Sequence, residues 1–221
     1  MKKIRLNKLF ELIPEALVIA DVGCDHGYLT ELLAKSNRFE KIIASDISDI
    51  CLDKTKQRLK KQNCENGVLF IKSDGFINYP KDLYPKCAII AGLGGEEIVK
   101  ILQKHPQISS LECVILQPMN KCEIVRDFLQ GEFCIIFDDI VQESSKFYCV
   151  LMAKYGNPRK LSDCEIEFGT NTEHKKSEDY ISWLQYKIQG IDKILANKCG
   201  GSEELLQKRE MLNRLKRGNY E

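Results

Sequence analysis

Near the start of the chain, Asp21-Val22-Gly23-Cys24-Asp25-His26-Gly27 combines two carboxylates, an imidazole and two glycines in one short segment. The glycines let a turn approach a ligand with no Cβ in the way, and a helix starting near Tyr28 offers free backbone N–H groups. The spacing is G-x-x-x-G, not the G-x-G-x-x-G that cradles a pyrophosphate. Two carboxylates beside such a loop repel a diphosphate and complement a cation. Asp46 lies about 20 residues further on, where an acid accepts both hydroxyls of a ribose, with Ile47 beside it. Asp74, followed by Gly75, is placed for an adenine amino group.

Any one of these acids is as easily a helix cap or a loop acid. Three at three successive strand ends point to a nucleoside whose far end is cationic. S-adenosylmethionine, with an ammonium and a sulfonium, fits that description; NAD does not.

The elements that must hold these residues follow from periodicity. Val18 to Gly23, Lys41 to Asp46, Val68 to Ile71, Cys87 to Ala91, Cys113 to Leu116, Phe133 to Ile140 and Phe147 to Lys154 are short, β-branched or apolar runs that predict seven strands. Helical patterns over Tyr28 to Ala34, Ser48 to Asn63, Glu96 to Lys104 and Cys122 to Gln130 follow the first, second, fourth and fifth of them, and a loop with Tyr79-Pro80 and Tyr84-Pro85 joins the third to the fourth. Alternation of this kind predicts an α/β fold with a doubly wound, largely parallel sheet. The last two strands are close enough to form an antiparallel hairpin at the sheet edge. Beyond Ser177, Ile181, Leu184, Ile188, Ile191 and Leu195 form a helical seam, Cys199 to Ser202 breaks it, and Leu205, Leu206, Leu212 and Leu215 continue it. The expected organisation is a cofactor-binding domain over residues 1–160 and a helical hairpin over 161–221. That hairpin either packs on the domain or grips a large substrate or second subunit.

Composition narrows the class. The chain has 221 residues, 43% hydrophobic and 29% charged, room for one α/β domain and a small appendage. With 33 Lys and Arg against 32 Asp and Glu, an anionic partner must be met by local patches. The densest, Lys54 to Lys61, reads first as a solvated helix face. The ten cysteines sit mostly in apolar runs, without a secretory signal at Met1 to Arg5, and are expected to be reduced core residues of a cytoplasmic protein. No Cys-x-x-Cys occurs and the three histidines are scattered, so no metal is expected. No apolar stretch approaches the roughly 20 residues of a membrane span.

Taken together, Asp21 to Leu29, Ala44-Ser45-Asp46, Ser73-Asp74-Gly75, Ile90-Ala91-Gly92-Leu93-Gly94-Gly95 and Ile115-Leu116-Gln117-Pro118 resemble the TrmK family of bacterial tRNA (adenine-22-N1)-methyltransferases. The similarity spans nearly the whole chain. It implies a class I Rossmann-like seven-stranded fold with a C-terminal coiled-coil hairpin, S-adenosylmethionine as donor, S-adenosylhomocysteine as product, and an adenine of the tRNA D arm as acceptor. Cys24, Gly27 and Leu93 depart from the family's pattern, Leu93 where the target base is received.

The expected cofactor residues are Asp21, Gly23, Asp25, Gly27, Asp46, Ile47, Asp74, Gly75, Ala91 and Gly92. Gly94, Gly95, Gln117 and Pro118 are expected at the acceptor. The turn Ala91 to Gly95 carries no side-chain acceptor for an exocyclic amine, so it suits attack by a ring nitrogen, whose lone pair needs no proton removed. Asp25 and His26 are candidates to act on the base, or only to shape the loop, and Tyr28 and Phe76 to stack on an extruded base. A methyltransferase of small molecules or proteins, and a catalytically silent RNA-binding domain, are the competing readings. Oligomeric state, monomer or weak homodimer, is left open.

Overall fold

The computed structural model describes residues 4–16, 18–80, 82–170, 177–197 and 203–218. The first strand, β1 (Val18–Val22), pairs in parallel with β2 (Lys41–Asp46) and with β4 (Cys87–Leu93). Beyond them, β3 (Val68–Lys72) pairs with β2 and β5 (Cys113–Pro118) with β4, also in parallel. A hairpin of β6 (Phe133–Glu143) and β7 (Lys146–Tyr155) closes the sheet, β7 lying antiparallel to β5. The order is β3-β2-β1-β4-β5-β7-β6. The chain therefore reverses direction of winding between β1 and β4, and in open α/β sheets the ligand crevice opens at that point, beyond the strands' carboxyl ends.

Burial explains why the central strands are so apolar. All of Cys113–Pro118 is buried, as are Cys87 to Ile90, because helices cover both faces. On one face α1 (Ile4–Glu11) and α2 (Tyr28–Lys35) bury Leu9, Leu29 and Leu33 against Ile19, Ile42 and Ile89. The helix α3 (Asp49–Lys61) packs Leu52 on Cys24 and Ala44. On the other face lie α4 (Gly95–Gln103) and α5 (Cys122–Glu132), whose Ile98, Leu102, Val125 and Leu129 join the larger core.

That core also takes in the end of the chain. A short helix, α6 (Asp163–Phe168), opens on a capping box between Ser162 and Glu165, the S-x-x-E signature visible in the sequence. Then α7 (Glu178–Asn197) and α8 (Glu203–Lys216) pack together through Leu184, Ile188, Ile191, Leu212 and Leu215. The base of α7 is docked on β6: Gln142 N donates to Asp179 Oδ2 at 2.8 Å, and Ser177 Oγ to Asp139 Oδ1 at 2.8 Å. The break expected at Cys199 to Ser202 lies outside the described residues. Both α1 and α6 are elements that the periodicity did not predict; each is a single short stretch whose apolar face has only two or three members.

One expectation needs correction. The cysteines are not all reduced: Cys122 and Cys149 form a disulfide, with Cα atoms 6.7 Å apart. The antiparallel return of β7 puts Cys149 on the face covered by α5, whose first residue is Cys122, so partners far apart in sequence come within bonding reach. Cys24, Cys87 and Cys113 are buried, as expected. None of the described helices is long and apolar enough to cross a membrane.

Candidate active site

The loop after β1 is fastened to the end of β2. Gly23 N–H and Cys24 N–H both donate to the Ser45 carbonyl, at 2.8 and 3.0 Å. Gly23 and Gly27 adopt φ of 77° and 70°. A Cβ on Gly27 would lie 2.6 Å from the Thr55 side chain, so this glycine is required by close packing on α3 as well as by its backbone. Asp25 is held at φ 44°, a left-handed conformation that side chains rarely take. Its N–H donates to Asp46 Oδ2 at 3.1 Å.

Asp46 is thereby oriented from two sides, since Ser48 N–H donates to its Oδ1 at 2.9 Å. A carboxylate offers about four lone-pair sites. Each Asp46 oxygen retains capacity for a ribose hydroxyl. Next to it Ile47 is 67% exposed, an apolar side chain left in solvent. At the end of β3, Asp74 Oδ2 accepts Lys104 Nζ at 2.7 Å, and Gly75, at φ 62°, brings the turn down on Ile101 of α4.

Asp21 has a different environment. It is buried at 3% exposure, and Thr30 Oγ1 donates to its Oδ2 at 2.6 Å, tying β1 to the first turn of α2. Burial pushes its pKa up to about 6, with the nearby Asp46 charge adding to the rise. A buried carboxylate of this kind is stabilised by a cation alongside it, and the ammonium of a methionine moiety supplies one. The donor set thus fits S-adenosylmethionine: a cation-seeking acid at one end and a backbone-oriented ribose acceptor at the other.

Across the switch point stands the turn after β4. Leu93 Cδ1 would lie 3.5 Å from a Cβ on Gly23, so the two loops face each other. The Leu93 carbonyl accepts Met119 N–H at 2.8 Å, and Gly95 N–H donates to the Asn120 carbonyl at 3.2 Å. These bonds lock the turns after β4 and β5 together. A Cβ on Gly95 would collide with the Lys121 carbonyl and lie 2.9 Å from that of Asn120. Gly92, at φ 83°, is exposed and Ala91 half-buried, whereas Gln117 and Pro118 are buried; the solvent-facing residues of the β5 turn are Met119 and Asn120.

Asp25 and His26 project from the loop into solvent, with His26 Nε2 3.6 Å from Asp25 Oδ2. Tyr28 is 41% exposed and stacks under the Arg58 guanidinium, 3.7 Å from the ring centre. Phe76 does not join them. It is fully buried, its ring 5.3 Å from that of Tyr79 and 4.3 Å from that of His105, because the Gly75 turn drops it into the core under α4. It cannot stack on an acceptor base. His105 is likewise a core residue, and burial lowers its pKa to about 4.

Two further residues meet this region: Arg5, which the sequence did not single out, and Arg58, which it offered only within the basic run Lys54 to Lys61. Arg5, on α1, donates through Nη1 to Gln117 Oε1, lies beside Gly92, and places its guanidinium 5.0 Å from the Tyr148 ring centre. Arg58 donates Nε to the His26 carbonyl at 2.6 Å and Nη1 to Glu31 Oε2 at 3.0 Å, bracing the loop after β1 from α3. No local motif marks either; each reaches the site by tertiary packing. Among the described residues no His, Cys, Asp and Glu side chains cluster at metal-binding distance.

Comparison with known proteins bears on this geometry. Residues 2–151 match the family described as a methyltransferase domain. A Mycoplasma genitalium protein assigned as a tRNA methyltransferase is 34% identical over 167 residues, covering 73% of this chain and 74% of that one. The tRNA (adenine(22)-N(1))-methyltransferase of Bacillus subtilis is 30% identical over 155 residues, 69% of this chain and 65% of the relative. The structure of M. capricolum TrmK in complex with S-adenosyl-homocysteine superposes with a TM-score of 0.83 at 25% identity, covering 99% of this chain and 98% of that one.

Proposed function

The chain belongs to the methyltransferase-domain family and, within it, to the tRNA methyltransferases, and from that premise we propose that it transfers a methyl group from S-adenosylmethionine to N1 of adenine 22 in the D arm of tRNA. The observation that carries the choice of atom is the turn Ala91 to Gly95. It meets the crevice with backbone and one leucine, so no side chain of the turn itself accepts the hydrogens of an exocyclic amine. A ring nitrogen needs no such acceptor.

When bound, the cofactor supplies an electrophilic methyl group on a sulfonium; the bond to sulfur breaks as the bond to N1 forms, and the positive charge passes to the adenine ring. The chain's part is to hold the partners in line and to tolerate that charge. Asp46 and Ile47 seat the nucleoside, Asp21 the methionine end, and Asp74 the adenine edge. Asp25 offsets the charge growing on the acceptor base, and His26 hydrogen-bonds the base edge or its phosphate. Tyr28 offers the exposed ring against which an extruded adenine stacks. Gly92 and Gly94 leave room for it, Gly95 lets the turns after β4 and β5 close on each other, and the buried pair Gln117-Pro118 sets the position of Met119 and Asn120. Residues 161–221 then serve as the part that grips the rest of the RNA, in the cytoplasm.

Nucleoside mass spectrometry of tRNA after incubation with enzyme and cofactor tests this reading. The expected product is 1-methyladenosine. Formation of 6-methyladenosine, or of no methylated nucleoside, would overturn it.

A further inference from the structure

Beside the catalytic loop the surface forms a depression of about 250 Å³ lined by His26, Lys54, Gln57, Arg58, Lys61 and Gln62. Three of these are permanent cations, and none is an acid. Resting on the reading of the chain as a tRNA methyltransferase, we propose that this depression is a phosphodiester subsite that holds the RNA backbone next to the target adenine.

The charge pattern is built rather than scattered. Lys54, Arg58 and Lys61 stand at i, i+4 and i+7 along α3 and so share one face, a like-charge spacing that costs helix stability when nothing anionic lies between. Attraction of Lys61 to the negative end of the helix accounts for the last turn but not for Lys54 in the middle of α3. The helix's own acid Asp53 pairs instead with Lys56, at 3.3 Å on another face. Lys54 and Lys61 enter no salt bridge among the described residues. Two acids touch this wall: Glu31 is committed to Lys35 at 2.6 Å and Arg58 at 3.0 Å, and Asp25 Oδ2 lies 3.6 Å from His26 Nε2.

Arg58 is immobilised. Its Nε is held by the His26 carbonyl, its Nη1 by Glu31, and its plane by the Tyr28 ring. A guanidinium fixed in this way has already lost the freedom that phosphate binding would otherwise remove. The wall is also continuous with the loop that carries Asp25 and His26. The wall shares His26 with that loop, so the same contact that attracts the RNA sets the register of the extruded base.

The test compares Lys54→Gln/Lys61→Gln with Lys60→Gln, which removes one charge from the same helix outside the depression. Thermal shift with S-adenosylhomocysteine first establishes that each variant is folded and binds cofactor as the wild type does. Binding and methylation of tRNA are then measured from 50 to 300 mM salt. The double variant is expected to raise the Kd and KM for tRNA about fivefold or more at the low-salt end, with kcat changing less than KM, and to flatten the slope of log Kd against log salt by about one to two. Lys60→Gln is expected to change neither. A double variant with the wild-type slope and affinity, or a Lys60→Gln variant that loses as much per charge, would overturn the subsite. A wild-type protein that binds tRNA with this salt dependence but makes no 1-methyladenosine would sink the adenine reading and leave the subsite standing.

Discussion

The Asp46 carboxylate accepts the backbone N–H of Asp25 at 3.1 Å, so the acid proposed to read the ribose also holds the loop proposed to face the acceptor base. Cofactor binding and acceptor geometry therefore share a single hinge point. Asp46→Ala removes both functions at once, whereas Asp46→Asn keeps one carbonyl acceptor. Isothermal titration with S-adenosylhomocysteine is expected to show affinity lost by about 10- to 100-fold in Asp46→Ala, the range for losing hydrogen bonds to a charged group, and by less in Asp46→Asn. Equal losses in both would show that the loop anchor contributes nothing.

Asp25 and His26 lie at the mouth of the crevice with more than half of each side chain exposed. Asp25→Ala and His26→Ala are expected to lower kcat for tRNA methylation by about 100-fold, the lower end of what a positioned polar group supplies. Cofactor affinity should stay within a few-fold. Single-turnover rates at saturating cofactor measure this directly, and rates within a few-fold of wild type in both variants would reduce the pair to shaping the loop.

Asp21 gives a pH dependence whose sign can be worked out. Its carboxyl, raised from 3.8 to about 6 by burial, binds more protons in the folded than in the unfolded chain between those values. The unliganded fold therefore loses stability from this group as pH rises through that window. A ligand ammonium needs the ionised form, so affinity for S-adenosylhomocysteine should improve about tenfold from pH 5 to pH 7 and level off above. Asp21→Asn should remove that slope in a titration series; an Asp21→Asn protein that keeps it would place the titrating group elsewhere.

The two neighbouring glycines of the β4 turn should differ in their tolerance. A Cβ on Gly95 meets the Lys121 and Asn120 carbonyls, backbone atoms that cannot swing away, while one on Gly94 stays 3.4 Å from a side-chain oxygen of Asn120. Gly95→Ala is expected to cost about 1–3 kcal/mol in urea unfolding, and Gly94→Ala well under 1 kcal/mol. Similar midpoints for the two would mean that the β4 and β5 turns separate easily.

Arg126 and Asp138 form a fully buried ion pair, Nε to Oδ2 at 2.8 Å, and Asp138 also accepts Thr170 N–H at 2.7 Å. Arg126→Met strands a buried carboxylate and should destabilise the protein by about 3–5 kcal/mol. Arg126→Met/Asp138→Leu should recover a large part of that loss, because the desolvation of both charges disappears together. A double variant no more stable than the single one would assign the loss to Thr170 and the α6 carbonyls instead.

Local chemistry was enough to find the strands and the acids at their ends. Cys87 to Ile90 and Cys113 to Leu116 are apolar without interruption because each is covered on both faces, and such runs leave a mark that needs no partner to be read. Asp46 and Asp74 stand out because an acid at the end of an apolar run is chemically conspicuous. Phe76 shows the limit: an aromatic beside a strand-end acid reads as a base-stacking residue, and only the turn at Gly75 sends it inward.

The segment Asp21 to Gly27 and the turn Ala91 to Gly95 were determined by sequence alone, since their function rests on residue types and on spacings short enough to be fixed by the chain itself. Tertiary structure decided what lies next to them. Arg5 meets Gln117, Arg58 reaches His26 and Tyr28, Cys122 meets Cys149, and Lys54 and Lys61 come to flank the loop after β1, each through partners well separated along the chain. Such contacts depend on how the sheet orders its strands and how its helices lie across it, and no local spacing encodes that arrangement.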